Sequence, residues 1–166
     1  GIENPRVGLL SIGEEPGKGD TLRKAAHPLL AAAPGLNFIG NVEGRDVMSD
    51  DVDVCVTDGF TGNVVLKTLE GGMQAVIGAL LEAFAQPEYK EHADALMPAL
   101  LPLYGTLNPD TYGGAVLLGV NGVCIIAHGS SSARAIENGI NVARDLVEHD
   151  MVTEIRDAIA AAAPAD

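Results

Sequence analysis

A chain of 166 residues with 47% hydrophobic side chains is long enough for one domain with a real core, and too apolar to be disordered. Ten Lys and Arg against 23 Asp and Glu leave a formal charge of −13. That balance excludes a broad nucleic-acid surface, which would have to neutralise phosphates.

The first predicted element is a strand over Val7–Ile12, a short, largely apolar run. The loop Gly13–Asp20 follows, rich in turn formers, with Lys18 between Gly17 and Gly19. Helical spacing then predicts Thr21–Ala33, with Leu22, Ala25, Ala26, Leu29 and Leu30 inward, a kink at Pro28 and a stop at Pro34-Gly35. Leu36–Val42 reads as a second strand, leading into a polar turn from Asn41 through Arg45 to Asp46. A third strand, Asp53–Thr57, enters the turn Asp58–Asn63. Gly59 and Gly62 there permit positive φ and close backbone approach, and Thr61 or Asn63 caps the helix that follows. That helix carries an apolar stripe of Val65, Leu69, Met73, Val76, Ile77, Leu80, Leu81 and Phe84. Strand and polar turn thus recur three times, which predicts parallel strands with crossover helices.

Past Pro87 the chain from Tyr89 to Tyr104 grows apolar, punctuated by Pro98 and Pro102. The stretch Ala95–Tyr104 is too short and too proline-broken to span a bilayer, so a second subunit or a membrane surface is its expected cover. Tyr112–Val120 and Gly122–Ala127 read as two strands, or as a loop and a strand. A glycine- and hydroxyl-rich turn, His128–Ser132, opens a helix from Ala133 to about Val147, and a last helical stretch runs to Ala163. Cys55 and Cys124 fall inside predicted strands and read as buried thiols of a reducing compartment; no metal-ligand spacing surrounds them. No signal peptide and no uninterrupted apolar run of membrane-spanning length is apparent. Gly1–Pro5 lead straight into a strand, as expected of part of a longer chain.

In a parallel α/β sheet the polar turns gather at the carboxyl edge, so they are expected to line one cleft. Their inventory is backbone N–H groups, hydroxyls and amides, with Lys18, Arg45 and Lys67 for charge, which suits an anion such as phosphate. No nucleophile elbow and no zinc-protease helix is present. Each residue also has an ordinary reading. Lys18 and Lys67 are solvated lysines on that view, Arg45 and Asp46 a surface pair, and Ser130 to Ser132 an N-cap cluster. His128 either does acid/base work or satisfies a buried backbone group.

Several strings carry a specific likeness: Arg6–Glu15, Asn37–Asp46, Asp58–Val64, Tyr112–Ala115 and His128–Ser131. In that order, across nearly the whole chain, they closely resemble the PlsX family of bacterial phosphate acyltransferases. The resemblance implies transfer of a fatty acyl group from acyl carrier protein to inorganic phosphate, giving acyl phosphate for phospholipid synthesis. It implies a three-layer α/β fold with a mostly parallel sheet, like phosphotransacetylase and isopropylmalate dehydrogenase. It also implies residues 1–166 as the C-terminal half, with the N-terminal half absent. Ile126 stands where such sequences usually carry lysine.

The expected catalytic set is Lys18, Asn63 and His128, with His128 a proton shuttle or an orienter. Expected contacts to phosphate or the acyl group are Gly17, Gly19, Asn41, Arg45, Asp58, Gly59, Thr61, Gly62, Ser130 and Ser131. No metal or cofactor is expected. Lys18, Arg23 and Lys24 are the expected basic patch for the acidic carrier protein. Further expectations are a cytoplasmic homodimer, peripheral contact with the inner face of the plasma membrane, and a membrane glycerol-3-phosphate acyltransferase as partner. The rival readings are an acyl-CoA-dependent phosphotransacetylase and a non-catalytic fragment that binds the carrier protein or a partner enzyme.

Overall fold

In the computed structural model, residues 2–129 and 131–162 are described. They form an α/β structure that divides into two compact units, Gly1–Leu69 and Glu70–Asp166, each taken by itself below.

The first unit is built on a parallel sheet of β1 (Val7–Leu10), β2 (Phe38–Val42) and β3 (Val54–Val56), in the order β2-β1-β3. Central β1 is buried along its whole length, as expected for an apolar run flanked by strands on both sides. Val7, Leu9, Leu10 and Val42 make the core, each such burial stabilising by roughly 1.5–3 kcal/mol. Pairing of β1 with β2 shifts register between Val7 and Gly8, so that Ile39 is the extra residue. At the amino edge Arg6 clamps Asp53. Its backbone N–H and Nε donate to Asp53 Oδ2 at 2.7 and 2.9 Å, and Nη2 donates to Oδ1 at 3.0 Å.

Helix α1 (Thr21–Ala32) runs through Pro28 and starts at Asp20, whose side chain accepts from the Arg23 N–H. Its inward face is not the one expected from the apolar spacing. Leu22, Ala25 and Leu29 are exposed, while Arg23, Ala26, His27 and Leu30 face the unit. This is still an i, i+3, i+4, i+7 stripe. It is displaced because Arg23 turns inward to acidic partners and the His27 ring meets Phe38 edge-on, centroids 5.1 Å apart.

The expected turn Asp58–Asn63 is mostly helix: α2 spans Gly59–Phe84. Neither Gly59 nor Gly62 adopts positive φ. The cap is Asp58 rather than Thr61 or Asn63, its Oδ1 accepting from the Thr61 N–H at 2.9 Å. Val65, Leu69, Met73, Ile77 and Phe84 are half-buried, while Leu66, Val76, Leu80 and Leu81 are exposed, as is Phe60 at 81%. Although Lys67 and Glu70 interrupt it, α2 is long and apolar enough, by length and composition, to cross a bilayer. Those charges are why no uninterrupted apolar run is apparent in the sequence.

In the second unit α3 (Lys90–Leu107) contains both Pro98 and Pro102 instead of being broken by them. Prolines four apart share one helix face, which confines the missing hydrogen bonds to one side. A short antiparallel pair follows, β4 (Ala115–Val116) with β5 (Ile125–Ile126). Cys124 lies just outside β5 and is exposed, contrary to expectation, whereas Cys55 in β3 is half-buried and its thiol pKa is raised by that burial. Helices α4 (Ala133–Glu148) and α5 (Met151–Ala162) complete the unit, joined through Asp150 at φ 49°.

Candidate functional site

Sheet order puts the ends of β1, β2 and β3 side by side, and their connecting turns form the carboxyl edge of the first unit. Gly17, Lys18 and Gly19 lie in the turn after β1, Asn41 at the end of β2 and Arg45 just beyond it. Asp58 follows β3, with Gly59, Thr61, Gly62 and Asn63 in the first turns of α2. Ten of the thirteen expected site residues therefore share one edge, counting Gly17, Lys18, Gly19, Asn41, Arg45, Asp58, Gly59, Thr61, Gly62 and Asn63. His128 and Ser131 belong to the second unit, and Ser130 lies outside the described residues.

The hub of the edge is a residue expected on the surface. Arg23, with its side chain only 11% exposed, projects from the first turn of α1. Its Nη2 donates to Asp58 Oδ2 and to Thr61 Oγ1 (2.9 Å), and its Nη1 donates to Asp20 Oδ2 (2.9 Å). Nε reaches the Leu10 carbonyl at 3.4 Å, tying α1 to the end of β1. Asp58 is held well below the usual carboxylate range, first by the Thr61 hydroxyl and N–H and then by Arg23. The Asp58 bond is in turn the largest influence raising the Arg23 guanidinium. Arg23 is thus a largely covered strut and not part of an open basic patch. The sequence signal for it was Asp20-x-x-Arg23 at a helix start, which sets a carboxylate and a guanidinium on the same side. A cleft of about 170 Å³ adjoins the strut, lined by Leu9, Leu22, Ala26, Val56, Thr57 and Asp58 with Arg23.

Arg45 is more than half exposed and ringed by acid: Glu43 at 2.6 Å, Glu14 at 2.7 Å and Asp46 at 3.6 Å. These carboxylates, Glu43 foremost, raise its pKa. Lys18 is exposed, and its backbone N–H closes a turn onto the Glu15 carbonyl at 2.9 Å. Asn63 is exposed on α2, five residues past the Asp58 cap, so its amide has no capping duty.

In the second unit the serine turn behaves as an N-cap. The Ala135 N–H donates to Ser132 Oγ at 3.2 Å, and the Ser132 hydroxyl donates to Asp110 Oδ2 at 2.6 Å. The Ser131 N–H closes the turn onto the His128 carbonyl at 3.0 Å. Gly113 lies against Gly139 of α4, and Asn138 Nδ2 donates to the Asp110 carbonyl at 2.8 Å. Among the described residues no cluster of His, Cys, Asp and Glu has the form of a metal site.

Known proteins match along almost the whole chain. A phosphate acyltransferase of Pelotomaculum thermopropionicum is 48% identical over 160 residues, covering 96% of this chain and 46% of the relative. One from Desulfitobacterium hafniense is 50% identical over 158 residues, covering 94% and 47%. A third, from Streptococcus agalactiae, is 44% identical over 160 residues, covering 95% and 48%. The chain spans about half the length of these curated relatives. Residues 1–154 match the family described as fatty acid synthesis protein. The chain therefore belongs to that family, the PlsX family.

Proposed function

We propose that residues 1–166 are the C-terminal half of an acyl-[acyl-carrier-protein]:phosphate acyltransferase acting in phospholipid biosynthesis. The observation that carries this is identity of 44–50% to phosphate acyltransferases over 158–160 residues. The parallel sheet with its turns at one edge supports a three-layer fold of the phosphotransacetylase and isopropylmalate dehydrogenase kind.

Bound phosphate is itself the nucleophile, so no covalent enzyme intermediate is required. Hydrogen phosphate attacks the thioester carbonyl; a C–O bond forms, the C–S bond breaks, and the proton of phosphate ends on the departing thiolate. The work left to the protein is to hold two anionic partners together and to stabilise the tetrahedral oxyanion with fixed donors. Lys18 and the turn N–H groups are assigned to phosphate, Asn63 to the oxyanion, and His128 to the proton or to orientation. The α2 helix, apolar on several faces and largely uncovered, supports a homodimer or membrane contact, since such a helix is ordinarily covered. A cytoplasmic enzyme touching the membrane would deliver acyl phosphate to a membrane glycerol-3-phosphate acyltransferase.

The test supplies the N-terminal half of a relative, fused or in trans, and follows phosphate-dependent thiol release. Release from acyl carrier protein is expected. Release from acyl-CoA alone would favour the phosphotransacetylase reading. A folded assembly that binds carrier protein without turnover would favour a binding fragment.

A further inference from the structure

Two polar side chains of the first unit are more than nine-tenths buried and carry an atom with no hydrogen-bond partner: Ser11 (8% exposed, Oγ) and Asn41 (6% exposed, Oδ1). Burying such atoms unpaired is costly, so each is a place where a partner is missing. They are neighbours. Asn41 pairs with Leu9 across the parallel ladder, and Ser11 lies two residues beyond Leu9, so both fall on one face as a diagonal pair.

The orientation of Asn41 is decided by its other end. Nδ2 donates to the Glu15 carbonyl at 2.8 Å, and a carbonyl accepts only from a donor. Oδ1 therefore points the other way and needs an O–H or N–H. Ser11 can donate or accept. Covering both is the turn Gly13–Asp20, and Gly19 (φ 96°) lies so close that a Cβ there would sit 2.8 Å from Ser11 Oγ. Entry of a ligand oxygen would require this turn to lift.

We propose that Ser11 and Asn41 form the specificity-determining pair of the phosphate site. Asn41 Oδ1 accepts the P–OH of hydrogen phosphate, and the Ser11 hydroxyl donates to an unprotonated oxygen of the same anion. The inference rests on the phosphate-acyltransferase reading and deepens it. A buried acceptor selects an anion that bears a proton. Phosphate and arsenate carry one at neutral pH and sulfate does not, so sulfate would leave Asn41 Oδ1 facing a lone pair. The same contact favours substrate over product: once the proton has gone to the thiolate, the acyl phosphate dianion has none to give Asn41.

The test is calorimetric titration of the protein with inorganic phosphate, arsenate and sulfate at neutral pH, on parent and variant chains whose folding is checked by circular dichroism. Phosphate and arsenate should bind at least about tenfold more tightly than sulfate. Asn41→Leu should bring the phosphate-to-sulfate ratio towards one. Because that change also removes the Glu15 tether, Asn41→Asp is the companion; it keeps an acceptor and should preserve the preference. Ser11→Ala should weaken both anions several-fold at an unchanged ratio, with stability held or raised because no hydroxyl is left unpaired. Failure of the parent chain to bind phosphate, or equal affinity for sulfate, overturns the proposal. So does an unchanged ratio in folded Asn41→Leu, which would assign Oδ1 to an internal water. Loss of turnover with the anion preference intact would sink the acyltransferase reading alone; normal turnover with equal affinities would sink only this inference.

Discussion

Gly113→Ala tests how the chain before β4 is held against α4. Gly113 has φ 76°, and an alanine Cβ there would run into Gly139 N and would meet Asn138 C at 2.5 Å. The left-handed backbone costs an L-residue roughly 1–2 kcal/mol. The clash is with backbone, which cannot rotate away, and overpacking of that kind adds about 1–3 kcal/mol. Together they amount to about 2–5 kcal/mol, or roughly 5–15 °C in Tm for a chain of this size. Two controls isolate the cause. Gly119 has φ 81° but nothing within 4 Å of a Cβ, so Gly119→Ala should lose only the conformational part, about 1–2 kcal/mol. Gly122, with open space and no positive φ, should tolerate alanine within about 0.5 kcal/mol. Melting followed by circular dichroism ranks the three, and hydrogen exchange at α4 localises the loss. A Gly113→Ala protein that melts no lower than Gly119→Ala would refute the close approach as the reason for glycine.

The remaining predictions concern the carboxyl edge and its supports. Asn63→Asp should leave Tm nearly unchanged, because Asp58 carries the cap, while the proposed oxyanion role predicts a roughly 10²–10³-fold fall of turnover in the complete enzyme; near-normal turnover would make Asn63 merely structural. Arg23→Glu should lower Tm markedly because it places a carboxylate beside Asp58 and Asp20, whereas exposed Lys24→Glu should spare Tm and raise KM for carrier protein alone. Asp53 is depressed to about 2, first by the Arg6 side-chain hydrogen bond, from an unfolded value near 3.8. Its stabilisation is therefore complete above about pH 4 and is lost as pH falls towards 2. In an acid titration of stability, Asp53→Asn should flatten that fall, and an unchanged slope would show that the clamp is not what titrates.

Local pattern determined much of this molecule without help. The apolar runs at Val7, Phe38 and Val54 became the strands of one parallel sheet, buried throughout at its central strand, and a serine before an amphipathic run placed the start of α4. Those features depend on a residue and its neighbours a few places away, which sequence displays directly. Parallel strands also dictate that their turns share an edge, so the gathering of Lys18, Asn41 and Asp58 was legible before any coordinate. Tertiary structure alone decided which side chains serve that edge and how. Arg23 read as a surface cation because its partner Asp58 is 35 residues away, and a guanidinium is drawn inward only when such a distant carboxylate meets it. The glycines at 59 and 62 suggested a loop, yet capping by Asp58 lets the helix begin at once, since glycine forbids nothing that a cap favours. Ser11 gave no signal at all in the sequence. The isolation of its hydroxyl is a property of the space around it, which exists only once β1, β2 and the turn above them have come together.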